Sequence, residues 1–108
     1  MSDLAEYLRK QMIWSGITFG QGRRTVGILE HIRKELIEIA ADPADLSEWM
    51  DVLILALDGY WRHGGHPEML MRDLEAKQTV NFARRWPAPQ PEDQAVEHIR
   101  PMPSDTGV

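Results

Sequence analysis

The sequence lacks several features that would assign it to common classes of protein. It contains no cysteine, which excludes disulfide bonds and thiolate metal sites. It has no apolar run near the ~18 residues that a transmembrane helix needs, and its opening segment, MSDLAEYLRK, lacks the apolar core of a signal peptide. Positive charge is scarce, because 12 Lys and Arg against 17 Asp and Glu give a net charge of −5. We therefore expect a cytoplasmic protein that binds neither membranes nor nucleic-acid polymers.

What the sequence does contain is helical periodicity. Apolar residues recur at helical spacing in four segments, at about residues 3–12, 24–41, 42–63 and 67–85. The glycine-containing stretch at residues 14–24 is predicted to be an irregular loop. Short connections and the lack of a convincing strand predict an all-α fold, a four-helix bundle in a single domain.

The composition changes after Trp86. Five of the seven prolines lie at residues 87–103. We therefore expect a helical domain at residues 1–86 and a Pro-rich C-terminal extension at residues 87–108, with one possible helical turn at residues 93–100.

Two pairs of carboxylates mark the second and third helices. Glu35 and Glu38 lie three residues apart beside an apolar stripe, and Glu48 and Asp51 have the same spacing at the start of a strongly apolar helix. A buried, isolated carboxylate costs several kcal/mol. If the pairs converge, cations must neutralise them, and an all-oxygen ligand set suits Mg²⁺ or Mn²⁺. Either pair alone is more commonly a solvated helix surface.

Two neighbouring groups have simpler explanations. Asp58 is interpreted as a surface residue or as a partner for Arg62, four residues further on. His63 and His66 flank a Gly-Gly pair, and a turn that ends the helix explains them better than a zinc site does.

The order of these motifs resembles a known family. KELIEI (residues 34–39) followed by SEWMDVLILALDG (residues 47–59) resembles the MazG motif of the all-α nucleoside triphosphate pyrophosphohydrolases. That motif is Glu-x-x-Glu and then Glu-x-x-Asp on successive helices. The stretches TFGQGRRTVGILEHIRKELIEI, AKQTVNFARRWP and QAVEHIR are similar to the dATP/dGTP diphosphohydrolase subfamily, which includes the phage MazZ enzymes. The resemblance covers about residues 17–100.

The resemblance implies a metal-dependent enzyme that hydrolyses a purine deoxynucleoside triphosphate, most readily dGTP, to the monophosphate and pyrophosphate. Glu35, Glu38, Glu48 and Asp51 would hold Mg²⁺, and Mn²⁺ would also support activity. Glu35 and Glu38 are the expected catalytic residues, with Glu38 orienting or deprotonating the attacking water. Residues 1–86 would be the catalytic domain, in the cytoplasm of a bacterium or of a phage-infected cell.

The phosphates of such a substrate also need cationic partners. Lys77, Asn81 and Arg84 share one helix face and are expected to contact the triphosphate or sugar. A solvated basic face is the alternative explanation. Arg24 follows the subfamily pattern and is expected to reach a phosphate.

The purine would need an apolar surface. Ile13, Trp14 and Phe19 are predicted to lie in the loop before the second helix. There they would either stack on the base or close the core.

Three alternatives stay open. The enzyme could prefer dATP or accept all dNTPs, or the chain could be a non-catalytic helical module that binds a nucleotide or a protein. The third helix is apolar around most of its circumference, which one small subunit can hardly cover. We therefore expect a homodimer or homotetramer.

Overall fold

The computed structural model describes residues 3 to 101, whose regular structure is helical. The helices are α1 (Leu4–Phe19), α2 (Thr25–Ala41), α3 (Leu46–Arg62) and α4 (Leu70–Ala83), with a 3₁₀ turn at Pro67–Met69. Within residues 3–101 there is no strand, only an isolated antiparallel bridge between Arg85 and Ile99. The predicted all-α class with four helices is confirmed. None of the described helices is long and apolar enough to cross a lipid bilayer.

Helix α1 is longer than its sequence predicts. The apolar spacing predicts an end near residue 12, but the helix continues through Gly16 to Phe19 and ends at Gly20, whose φ is 89°. A glycine inside a helix costs only about 1 kcal/mol relative to alanine, so Gly16 does not end a helix that tertiary contacts hold. The loop assignment of Ile13, Trp14 and Phe19 is therefore wrong, because all three lie on α1.

Helix α3 begins later than predicted, while α2 has the expected bounds. Asp42, where the sequence predicts the third helix to begin, is instead the C-cap of α2, and its N–H donates to the carbonyls of Glu38 and Ile39 at 3.2 Å each. Asp45 is the N-cap of α3. Its Oδ1 accepts hydrogen bonds from the Ser47 N–H at 3.0 Å and from Ser47 Oγ at 2.6 Å.

The segment after α4 also differs from the prediction. Helix α4 ends at Ala83, and the expected helical turn at residues 93–100 is absent, since residues 95–98 have no regular structure. The Ile99 N–H instead donates to the Arg85 carbonyl at 2.7 Å. A backbone bond across 14 residues of chain replaces the local bond that a helical turn would need.

The chain divides into two compact units, residues 1–71 and residues 72–108. In the first unit, Leu8, Leu57 and Leu70 form the buried core cluster, and Tyr7 and Trp61 are among the partly buried side chains packed on it. Helix α3 packs against both α1 and α2. This arrangement brings the two acid-bearing helices side by side.

The side chain of Arg62 on α3 is fully buried and joins three parts of the first unit. Its Nε donates to Asp58 Oδ2 at 2.9 Å, and its Nη1 donates to the carbonyls of Gly20 and Gly22 at 2.9 and 2.8 Å. Its Nη2 donates to the carbonyl and the Oγ of Ser15 at 3.2 and 2.9 Å. All of the guanidinium N–H groups are thus satisfied.

Asp58 is therefore the buried partner of Arg62 and not a surface residue. Burial alone would raise the pKa of this carboxyl. Hydrogen bonds from Ser15, Trp61 and Arg62, together with the Arg62 charge, outweigh burial and lower the pKa. The pair fastens the end of α1 and the following loop to α3.

Replacing Arg62 tests this account. The substitution Arg62→Met leaves Asp58 charged and buried, and three backbone carbonyls lose a donor. We expect the free energy of unfolding, measured by urea denaturation at neutral pH, to fall by about 3–5 kcal/mol. The matched control is Arg33→Met, which removes an exposed ion pair with Glu30 and should cost less than about 1 kcal/mol. Equal losses in the two variants would contradict the role of Arg62.

Candidate metal centre and adjoining cavity

Three carboxylates from two helices converge in the first unit. Glu35 and Glu38 share one face of α2, and Glu48 lies in the first turn of α3. One oxygen of each lies within 4.8 Å of the others. The packing of α2 on α3 thus brings together three of the four acids that the sequence singled out.

Burial and mutual repulsion make this cluster difficult to ionise fully. Burial, followed by a hydrogen bond and repulsion from Glu38, raises the pKa of Glu35. The Nε2 of His31, 3.2 Å from Glu35 Oε1, partly opposes that shift. Burial and then Glu38 raise the pKa of Glu48 to about 7. Near neutral pH the cluster therefore retains protons unless a cation replaces them.

The residues present fit a divalent metal ion. Oε2 of Glu35 and Oε2 of Glu48 are shielded from solvent and have no hydrogen-bond partner among residues 3–101. Buried polar atoms without a partner are uncommon in native proteins and need an explanation. A cation held by Glu35, Glu38 and Glu48 would be the missing partner of both atoms, and the all-carboxylate donor set suits Mg²⁺ or Mn²⁺.

Asp51 lies beside this cluster and is not one of its three members. Its charge nevertheless contributes to the raised pKa of Glu35. Its side chain also lines the neighbouring cavity together with Glu35. The fourth predicted acid therefore lies next to the cluster without belonging to it.

A cavity of about 440 Å³ adjoins the acids. Its walls come from three helices and combine apolar and polar side chains: Tyr7, Lys10, Gln11, Trp14, Phe19, His31, Glu35, Asp51, Ile54 and Leu55. The rings of Trp14 and Phe19 meet edge to face, with centroids 5.4 Å apart. Small-molecule sites usually occupy roughly 300–1,000 Å³ and have such mixed linings.

Three lining residues of α1, Tyr7, Lys10 and Gln11, were missed by sequence reasoning, although Trp14 beside them was predicted. Tyr7, Gln11 and Trp14 are spaced four and three residues apart, so they share one helix face, and Lys10 lies beside them. The Tyr7 hydroxyl donates to Gln11 Oε1 at 2.6 Å, and Gln11 Nε2 donates to the Ile54 carbonyl at 2.8 Å. The spacing was a usable signal, but a helix ending near residue 12 separated Trp14 from that face.

Two other predicted residues lie outside this cavity. Ile13 is 67% exposed and is absent from the cavity lining. Arg24 donates from Nη1 to the Phe19 carbonyl at 3.1 Å, with its guanidinium 5.8 Å from the Phe19 ring centroid. Arg24 therefore braces an aromatic wall of the cavity and lines a smaller void of about 50 Å³ next to it.

The three residues predicted to contact the triphosphate or sugar, Lys77, Asn81 and Arg84, lie in the second unit. Asn81 Oδ1 accepts a hydrogen bond from Arg84 Nη1 at 3.2 Å, so two of the three side chains are in contact. Lys77 and Asn81 lie on α4, but Arg84 is the first residue beyond it, so the prediction that all three share one helix face is wrong for Arg84.

Of the two histidines after α3, His63 serves the end of that helix, whereas His66 precedes the 3₁₀ turn at Pro67–Met69. His63 is the C-cap of α3; its Nδ1 lies 2.7 Å from the Gly59 carbonyl and its Nε2 lies 2.6 Å from Thr25 Oγ1. Both ring nitrogens are engaged, in agreement with the prediction of a helix-ending turn.

Comparison with known proteins points to one family. The family model described as dATP/dGTP pyrophosphohydrolase matches residues 7–105. The Eaa protein of Salmonella phage P22 is 38% identical over 64 residues, which cover 59% of this chain and 20% of that protein. The chain therefore spans about a fifth of the length of the curated relative that it matches. No solved structure gives a significant match.

The raised pKa of Glu48 makes a prediction for the metal-free protein. Between the ordinary value of 4.5 and about 7, the folded state binds more protons at Glu48 than the unfolded state does. Its contribution to the free energy of unfolding therefore decreases as the pH rises. Thermal melts in EDTA should show the wild type losing stability relative to Glu48→Gln between about pH 5 and pH 8.

Glu30→Gln is the control, because Glu30 is an exposed carboxylate of α2 that pairs with Arg33. Its melting temperature should follow that of the wild type across the same range. A pH-independent difference between the wild type and Glu48→Gln would contradict the electrostatic account.

Proposed function

This chain belongs to the dATP/dGTP pyrophosphohydrolase family, and on that premise we propose that it converts a purine deoxynucleoside triphosphate to the monophosphate and pyrophosphate. The observation that carries the proposal is the carboxylate cluster with two unpartnered buried oxygens, next to a cavity of about 440 Å³ with an aromatic wall. We place dGTP first among the substrates. The similarity to a phage protein favours the cytoplasm of a bacterium or of a phage-infected cell.

Glu35, Glu38 and Glu48 would hold the metal, with Asp51 available as a fourth carboxylate. Mg²⁺ is the proposed ion, and Mn²⁺ should replace it. When bound, the ion supplies positive charge against the triphosphate and lowers the pKa of water. Glu38 is the most exposed of the three clustered acids. We assign it the orientation of the attacking water and the acceptance of its proton.

The cavity walls suit the other parts of the substrate. Trp14 is 56% exposed and offers a face on which a purine can stack. Gln11 is held by Tyr7 and the Ile54 carbonyl, so its amide meets a base edge in a defined orientation. Among the described residues that line the cavity, Lys10 is the only lysine or arginine, which makes it the natural phosphate contact there.

The test of this proposal is a dNTP panel. The protein is incubated with each dNTP and Mg²⁺ or Mn²⁺, and released pyrophosphate is measured. We expect release from dGTP, and we expect Glu38→Gln to lower kcat by at least about 100-fold, with Glu30→Gln as the matched control. Release from dATP alone, or equally from all four, would replace dGTP with those substrates. No release from any dNTP would refute the enzyme and favour a nucleotide-binding module.

In the same assay, the variant Lys10→Met tests substrate binding, measured as KM, separately from the chemical step, measured as kcat. Lys10→Met should raise KM roughly tenfold, the loss expected for one charge-assisted contact, with a smaller effect on kcat. The adjacent Arg9→Gln is the control, because Arg9 pairs with Glu68 and does not line the cavity. If both variants raise KM equally, net charge and not contact explains the effect.

We further propose that the active form is a homodimer or homotetramer. The described residues cover the apolar stripes of α2 and α3 only in part: Ile28 and Ile39 are buried, whereas other members remain exposed. Exposed fractions are 60% for Leu29, 53% for Leu36, 75% for Leu46 and 51% for Met50. Exposed apolar surface of this extent is typical of subunit interfaces. Sedimentation at micromolar concentration should give at least twice the 12.4 kDa of one chain, and a monomer would contradict the proposal.

A further inference from the structure

The second unit contains a basic cavity of its own. Its volume is about 650 Å³, and it is lined by Ala83, Arg84, Arg85, His98, Ile99 and Pro101. All of these residues belong to the unit at residues 72–108. Among residues 3–101, no acidic side chain lines the cavity, although the chain as a whole carries a net charge of −5. Positive charge is thus concentrated at one place in an acidic protein.

The C-terminal segment builds one wall of this cavity. The Ile99 N–H donates to the Arg85 carbonyl at 2.7 Å. The ring of His98 meets the ring of Trp86 at an angle of 72°, with centroids 5.9 Å apart. Trp86 Nε1 in turn donates to the Asn81 carbonyl at 2.8 Å. These contacts hold His98 beside the end of α4, so the Pro-rich extension has a structural role in the cavity.

The charges around His98 are mostly of one sign. Burial, followed by repulsion from Arg84 and Arg100, lowers the pKa of His98. Lys77 acts in the same direction, and Glu97 opposes them. Several cations lie near one imidazole, and few acids balance them. Such a cluster of positive charge attracts a polyanion. Guanidinium groups in particular bind phosphate oxygens in a forked arrangement.

We propose that this cavity binds a chain of two or three phosphates, and that Arg85 and His98, which lie beyond α4, complete the site together with Arg84. The site shares Arg84 with the substrate contacts expected from the sequence, but phosphate binding there does not depend on hydrolysis. The phosphates come either from the triphosphate of a nucleotide or from free inorganic polyphosphate. Both sources present the same chemistry to the cavity.

The experiment uses the full chain in EDTA, because without metal the acid cluster repels phosphate and so disfavours its binding near Lys10 in the first cavity. Sodium tripolyphosphate is titrated at constant ionic strength while the C2 proton of His98 is followed by NMR. The His98→Gln spectrum identifies that resonance. We expect a saturable shift, and we expect the pKa of His98 to rise by about one unit, since a bound anion favours the imidazolium.

Two variants locate the site. Arg85→Met removes a lining cation but keeps the backbone bond to Ile99, and it should weaken binding by about tenfold. Arg72→Met, a change on α4 in the same unit at a residue paired with Asp73 in the native chain, should bind as the wild type does. Circular dichroism verifies that each variant is folded, and Arg100→Met serves as a second test if Arg85→Met loses helicity.

The outcomes are separable. A shift with both tripolyphosphate and dGTP supports a site for the nucleotide's phosphates, and a shift with tripolyphosphate alone supports a site for free polyphosphate. No response of His98, an equal response to sodium chloride, or full binding by folded Arg85→Met and Arg100→Met would overturn the proposal. Pyrophosphate release from dNTPs is measured with metal, whereas phosphate binding is measured in EDTA. A failure of phosphate binding therefore leaves the proposed hydrolase activity intact, and a failure of hydrolysis leaves the phosphate site intact.

Discussion

The first unit depends on the hydrogen bonds of one buried group, the guanidinium of Arg62. A charged group without access to water must satisfy every one of its donors within the protein. Arg62 does so by binding Asp58 on its own helix and carbonyl groups at Ser15, Gly20 and Gly22. The end of α1 is therefore fastened to α3, and the chain between α1 and α2 has a defined path. Trp14 and Phe19 form a cavity wall because this part of α1 is held in place.

The acid cluster differs from the Arg62–Asp58 pair in how its buried charge is balanced. Glu35 and Glu48 have no guanidinium beside them, and each has an oxygen without a partner among the described residues. Repulsion from Glu38 adds to the cost of burial at both positions. Asp58 is stabilised by an internal cation, whereas the cluster depends on protons or on a cation from solution. This difference separates a carboxylate that supports the fold from carboxylates that are available for a ligand.

Sequence reasoning succeeded where a local rule acts within one helix. The apolar stripe gave the bounds of α2, and the spacing of Glu35 and Glu38 placed them on one face. It failed at α1, since Gly16, Gly20 and Gly22 were interpreted together as a loop. Only the last two lie beyond the helix, and the bonds from Arg62 that hold the end of α1 and the following loop cross 40 to 47 residues of sequence. The same wrong end of α1 separated Trp14 from the helix face that carries Tyr7 and Gln11. Tyr7, Lys10 and Gln11 were therefore missed as cavity residues.

The sequence by itself determined the all-α class, the acid pairs and the family, because helical periodicity and ordered motifs are local properties of the chain. The tertiary structure alone decided which acids meet, because that depends on how α2 packs on α3. It places Glu48 within the cluster and Asp51 beside it. It also decided that Asp58 is buried, and that the extension after Trp86 returns to the end of α4. These outcomes depend on desolvation and on contacts between distant residues, which no local pattern encodes.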